Sequence, residues 1–253
     1  MTASRANLHD FLDRLTSRSA LTNDEQRAIL DLPAQSEQVN SNRDFVTLGE
    51  SVDHASLIVA GIVGRFDQTS DARRQITAFH FPGDVANLHS VVQPSATSAL
   101  QALSTATILR IPHRAMRAAA ARYPAIAEAF WRDTAIDGAI TAQWVINIGR
   151  RTAQERIAHL LCEVAVRLGC APASDTIVFP FSMTQFQLAD ATGLTAVHVN
   201  RTLQSLRRLG VVDLARHNVC IHDWDRLVEI GDFDDGYLQV GVKGRPVRMM
   251  DAA

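Results

Sequence analysis

LADATGLTAVHVNRTLQSLRRLGVV, residues 188–212, is the stretch whose pattern settles the C-terminal third of the chain. Extended back to Phe186, it opens with a short helix, 186–192, in which Leu188, Ala189 and Ala191 are the small and apolar positions. Ser182, Met183, Thr184 and Gln185 lead into that helix. Gly193 follows, and glycine is the residue that tolerates the left-handed backbone conformation of a sharp turn. Leu194 then plugs the space between the helices and Thr195 caps a second helix, 196–209. That helix is expected to bury Val199, Leu203 and Leu206 at i, i+4 and i+7, and to show Val197, His198, Asn200, Arg201 and Gln204 to solvent. Two helices crossing at roughly 90 to 120° through such a turn make a helix-turn-helix. Runs 211–214 and 218–222 read as short strands around Ala215, Arg216, His217 and Asn218, which is a wing, and a further helix starts at Asp223.

The exposed face of the second helix has the chemistry a DNA major groove requires. Arg binds guanine O6 and N7 with two hydrogen bonds, and Asn or Gln does the same to adenine. Thr195 can reach a phosphate, and Arg207, Arg208 and Arg216 are opposed only by Asp213, a local excess suited to backbone anchoring. The expected double-stranded DNA contacts are Thr184, Gln185, Thr195, Val197, His198, Asn200, Arg201, Gln204, Arg208 and Arg216. The alternative is a helical hairpin with an ordinary solvated basic face. The turn, the caps and the wing together argue against it.

Outward from this segment the texture changes. A capping box, Thr152 with Glu155, starts a helix that buries Ile157, Leu160, Leu161, Val164 and Leu168 and ends at Gly169. Before it, Ile126, Phe130, Ile136, Ile140, Trp144 and Ile148 recur at a helical period up to Gly149. The seam Ile136, Ile140, Trp144 and Ile148 can pack on the N-terminal half or pair with its copy in a homodimer, and DNA binding favours the homodimer. From Glu37 to Pro112 short β-rich runs (45–48, 57–63, 75–81, 99–103 and 107–111) separated by turn residues read as an antiparallel β-barrel or sandwich. Residues 68–72 form a hairpin loop, FPGD at 81–84 is a sharp turn, and a capped helix begins near Thr22. The fold class is thus α+β. A β-barrel unit spans 1–120, a long helix 121–149, and a winged helix-turn-helix unit 150–253.

Composition excludes several classes. With 253 residues, 47% hydrophobic, the chain builds real cores. No run approaches the ~18 apolar residues of a membrane span, and the opening MTASRANLHDFLDRL lacks the apolar core of a signal peptide, so a cytoplasmic protein is expected. Three cysteines without a C-x-x-C pair make neither a disulfide framework nor a metal site. Of the 25 basic residues only Lys243 is a lysine, and the formal charge of −2 carries no global signature of nucleic-acid binding. There is no P-loop, G-x-S-x-G or H-E-x-x-H. A cupin-like enzyme would need a histidine pair that His54 lacks, so the chain is not read as an enzyme.

The stretches at 188–212 and 149–169 (GRRTAQERIAHLLCEVAVRLG), with FPGD in the right order, resemble the Crp/Fnr family of bacterial transcription regulators over about residues 21–237. The resemblance implies a cyclic-nucleotide-binding-like jelly-roll sensor and a long dimerisation helix. It also implies a homodimer on a near-palindromic promoter site, with Val197, Asn200 and Arg201 reading bases and RNA polymerase as a partner. The family's cyclic-nucleotide ligands, a Gly-Glu pair and an Arg followed by Ser or Thr, are replaced here by Gly83-Asp84 and by Ala96-Thr97-Ser98. Cyclic AMP is therefore not expected, since its phosphate would lack a cationic partner. An iron–sulfur cluster is not expected either, because the first 161 residues contain no cysteine. Haem would need His54, His80 or His89. The effector remains open, with Arg73, Arg74, Asp84, Asn87, Thr97 and Ser98 as candidate contacts. An effector-independent or architectural DNA-binding protein is the alternative reading.

Overall fold

A computed structural model describes residues 8–170, 176–215 and 217–239. Two helices, α1 (His9–Thr16) and α2 (Asn23–Leu30), precede the strands β1 (Gln35–Val39), β2 (Arg43–Val46), β3 (His54–Ala60), β4 (Val63–Gln68), β5 (Arg74–His80), β6 (Ala99–Ala102) and β7 (Ala106–Pro112). These form two antiparallel sheets, ordered β1-β7-β3 and β2-β6-β4-β5, rather than one closed barrel. Val39, Val46, Ile58, Val63, Leu100, Ala102 and Ile108 fill the space between them in a jelly-roll arrangement. The expected strand 57–63 divides at Gly61, whose φ is 85° and where a Cβ would meet the Thr105 carbonyl oxygen at 2.5 Å. A side chain cannot fit there, so the chain turns and starts a new strand. The loop expected at 68–72 does join β4 to β5 as a hairpin.

Helices α3 (His113–Arg122) and α4 (Pro124–Arg150) follow, then α5 (Ala153–Arg167) behind its Thr152–Glu155 capping box. Strand β3 is apolar on both faces because Ala55 and Leu57 point to α1, α3 and α4, while Ile58 points into the jelly roll. Helix α1, which the sequence reading passed over, supplies Phe11, Leu12 and Leu15 to that outer cluster, with Phe11 stacked 6.0 Å from Phe130. The third sheet, β8-β10-β9, combines β8 (Ile177–Pro180) with β9 (Val212–Ala215) and β10 (Asn218–Ile221). Helices α6 (Gln185–Thr192), α7 (Ala196–Arg208) and α8 (Trp224–Gly231) complete the C-terminal unit. Among the described residues no helix is long and apolar enough to cross a membrane.

One expectation for α4 is overturned. Ile136, Ile140 and Trp144 are not an intersubunit seam: they lie in a core shared with Phe79 and Phe81 of the sheet side and with α5. The Trp144 ring meets Phe79 edge-on at 5.0 Å, and its Nε1 donates to the buried Glu163 carboxylate at 3.0 and 3.2 Å. Ile148 is half-buried. The helical period holds, but the largest apolar side chains belong to the chain's own core.

Beside that core lies a buried ion cluster. Asp84, 4% exposed, accepts from the Phe81 backbone N–H and pairs with Arg14 of α1 and, at 2.7 Å, with Arg167 of α5. Asp133 of α4 receives Arg14 at 2.8 Å and Arg18 at 2.9 Å, and Arg18 also donates to the Leu238 carbonyl. Glu163 accepts from Arg167 and from the Tyr237 hydroxyl. Burial alone would raise the Asp84 carboxyl, but the two guanidiniums overcome it and hold its pKa at about 2. Removing one member of such a buried pair strands the other charge, at a cost of roughly 3 to 5 kcal/mol. Asp84→Ala should lose that much stability in urea denaturation. A loss below about 1 kcal/mol would mean that the cluster is dispensable.

Two buried histidines contribute to the acid response. Burial pushes His80 down to about 3; it also pushes His159, whose Nδ1 contacts the Gly231 carbonyl at 3.1 Å, down to about 4. Both folded values lie below the unfolded value of about 6.5. The unfolded chain therefore binds more protons across that window, so stability is complete above pH 6.5 and is lost as pH falls. At pH 5 each histidine should withdraw about 2 kcal/mol, and His159→Gln should shrink the drop in urea midpoint between pH 7.5 and pH 5. An unchanged drop would remove His159 from the account.

Candidate nucleic-acid interface

Helix α6 begins at a capping box in which the Thr184 hydroxyl accepts from the Gln187 N–H, and it ends at Gly193 with φ 64°, the left-handed turn expected from the sequence. Thr195 caps α7 by accepting from the His198 N–H. Within α7 the buried positions are Val199, Thr202 and Leu206, at i, i+3 and i+7, and Leu203 is only half-buried, a small rotation from the expected face. Val197, His198, Asn200, Arg201, Gln204, Arg207 and Arg208 are exposed, as are Thr184, Gln185 and Thr195. Val197 is 70% exposed, an apolar side chain held in water on a polar face.

Gln185, Asn200, Gln204, Arg207 and His217 line one cleft of about 250 Å³ between the start of α6, the recognition face of α7 and the wing. Gln204 donates to Asn200 across one helical turn. Arg207 is tied to Asp213 of β9, whereas Arg201 and Arg208 form no ion pair among the described residues. The wing turns through His217 at φ 65°. His217 was not among the expected contacts; its only signal in the sequence was its place in the turn between two short strands. Arg216 lies outside the described residues.

The helix-turn-helix is bolted to the jelly roll. Gln187, buried, donates to Asn42 Oδ1 at 3.2 Å and to the Leu103 carbonyl at 3.1 Å, and Gln75 donates to the Ala191 carbonyl. Arg167 adds a bond to the Phe79 carbonyl at 2.8 Å.

The candidate effector residues do not converge. Asp84 is consumed by the ion cluster, and Asn87 accepts from the Ser56 N–H at 2.7 Å and donates to the His54 carbonyl. Ser98 donates to Asp67, Thr97 is exposed, and Arg73 is an exposed loop residue paired with Asp71. Arg74 lies 3.9 Å from the centre of the Phe66 ring, donates to Gln101 and approaches Asp190 of α6 at 3.7 Å. The interior of the jelly roll retains about 10 Å³, bounded by Val46, Val52, Ala86, Leu100 and Arg65 among others. Arg65 is an arginine that the sequence reading missed, and its guanidinium is committed to Asp137 and Thr141 of α4.

Comparison with known proteins agrees with this geometry. Residues 155–230 match the Crp-like helix-turn-helix domain, and residues 37–123 match the cyclic nucleotide-binding domain. The chain belongs to the Crp/Fnr family. It is 28% identical over 227 residues to the transcriptional activator protein FnrL of Cereibacter sphaeroides, covering 85% of this chain and 88% of that one. It is 30% identical over 162 residues to the nitrogen fixation regulation protein FixK of Azorhizobium caulinodans, covering 64% of each. The structure of FixK2 from Bradyrhizobium japonicum superposes with a TM-score of 0.72 at 28% identity, over 79% of this chain and 98% of that one. Like its family, this Crp/Fnr chain is a DNA-binding transcription regulator and not an enzyme.

The exposed, unpaired arginines give a direct test. Arg201→Ala should lose about 10- to 100-fold in affinity for an operator selected from random DNA, with a changed base preference and nearly intact non-specific binding. Arg208→Ala should weaken all sequences alike and reduce the slope of log affinity against log salt by about 0.9. Selection with Arg201→Ala that returns an unaltered motif would remove this side chain from base reading.

Proposed function

We propose that this Crp/Fnr regulator acts in the cytoplasm as a homodimer on a near-palindromic promoter site, alongside RNA polymerase. The observation that carries the dimer is the solvent face of α4. Trp131, Ala135, Gly138, Ala142, Val145 and Gly149 are all exposed and are spaced alternately by four and three residues. That spacing is the repeat of a coiled-coil seam, and its small side chains allow two helices to approach closely. Trp131 at 70% and Val145 at 62% exposure are costly in water and gain most from a partner helix.

A parallel pair of α4 helices sends two copies of α7 to one side of the molecule, to enter successive major grooves about 10 bp apart. Arg201 then reads guanine and Asn200 adenine, with Val197 placed against a thymine methyl group. Thr184, Gln185, Thr195 and Arg208 hold phosphates, and His198 and Gln204 flank the bases. The closed interior of the jelly roll supports a regulator that holds no cyclic nucleotide there. About 10 Å³ is the space of one water, against the roughly 300 to 1,000 Å³ of ligand pockets.

Val145→Asp tests the seam. It should convert a dimer into a folded monomer in light scattering and abolish high-affinity operator binding with it. Val145 is exposed in the protomer, so the fold should survive, as circular dichroism would show. A variant that remains dimeric places the interface elsewhere.

A further inference from the structure

Beside α4 lies a cavity that borders the proposed seam, sharing Trp131 and Ala135 with it. Its volume is about 600 Å³, within the range of ligand sites and far larger than the interior of the jelly roll. The short 3-10 turn Leu88–Val91 forms one wall, with Val92 beyond it; α3 and the first half of α4 form the others. The lining is almost wholly apolar, with Leu88, Val91, Phe130 and Trp131 as its large side chains. Val92, 80% exposed, and Trp131 stand at its rim. Its ionisable groups are Arg117 and His89, and no carboxylate lines it. Arg117 is anchored by an Nη1 donation to the Val91 carbonyl at 2.8 Å, which holds the guanidinium at the wall.

We infer that this cavity binds an apolar monocarboxylate, with the chain or ring of the ligand against Phe130 and Trp131 and its carboxylate against Arg117. Charge complementarity selects the head group. A cationic ligand would meet Arg117 with nothing to balance it, whereas a carboxylate gains a charge-assisted bond to a guanidinium at the edge of an apolar wall. The apolar walls select the body. Leu88, His89 and Thr134 line this cavity and also the small polar cavity that contains Asp84, Asp133 and Arg167. A ligand there sits one side chain away from the ion cluster that joins the jelly roll to the DNA-binding unit. This is a different place from the jelly-roll interior.

Dodecanoate, below its micelle concentration, is a suitable probe, and Trp131 in the wall is a built-in fluorescent reporter. The expected result is saturable binding of about one dodecanoate per chain to the full-length dimer, seen by calorimetry and as a change in tryptophan emission. Arg117→Ala should weaken it by about tenfold or more while leaving binding of uncharged dodecanol unchanged. Ala121→Trp, which fills the cavity from an exposed position, should abolish both. Equal binding of dodecanoate and dodecanol, insensitive to Arg117→Ala, would overturn the assignment. So would binding by the Val145→Asp monomer but not by the dimer, since the partner protomer would then occupy the cavity. Operator binding in the same preparations reports separately on the proposed function, so a protein that binds DNA but no dodecanoate loses this inference alone.

Discussion

The Asp84 carboxylate between Arg14 and Arg167 is the constraint around which the described parts of the molecule are organised. It joins three elements far apart in sequence: the first helix, the turn that leaves β5, and the first helix of the DNA-binding unit. None of the three charges could remain in its low-dielectric site alone. The family's sharp turn is therefore used here structurally, as a clamp, with its carboxylate committed to two arginines. Asp133, Arg18 and Glu163 extend the clamp along α4 and α5, so that the position of the helix-turn-helix is defined by ion pairs as well as by apolar packing.

The apolar packing is continuous in the same region. Phe66, Ile76 and Phe79 from the β4-β5 side of the jelly roll, Ile140 and Trp144 from α4, and Leu188, Val199 and Leu206 from the helix-turn-helix belong to one buried cluster. A chain that can be divided on paper into a sensor, a connecting helix and a reader is thus joined through a shared interior, and α4 serves both as the spine of the protomer and as the bearer of its exposed stripe.

Local signals were legible in the sequence, and long-range choices were not. The Gly193 turn, the threonine caps at 152 and 195, and the hairpin at 68–72 are decided by residues within four positions of each other, and the structure shows all of them. The exposed face of α7 was legible for the same reason, since a helical period assigns faces directly. The seam of α4 was not, because this helix has two apolar stripes. The bulkier one (Ile136, Ile140, Trp144) carries the stronger hydrophobic signal, and only the packing of Phe79 and Glu163 against it shows that it faces inward. The smaller stripe of alanine, glycine and valine carries little hydrophobic signal and became visible by exposure. The fates of Asp84, Asn87 and Ser98 were hidden likewise, because their partners, Arg14, Ser56 and Asp67, are distant in the chain or face them only through strand pairing.

The bolts between Gln187, Asn42 and Leu103 have a mechanical meaning for the genome this regulator scans. A reader held on a tether could swing to meet half-sites at many separations, but α6 is pinned to a sheet edge, so in the proposed homodimer two such protomers would behave as a calliper of fixed opening. One base pair added between half-sites turns the second by about 35° around the DNA axis. The protein must then break its bolts or untwist the duplex to recover the contact. In that proposed dimer, spacing would be a selective letter of the operator, read by the stiffness of the protein and touched by no side chain.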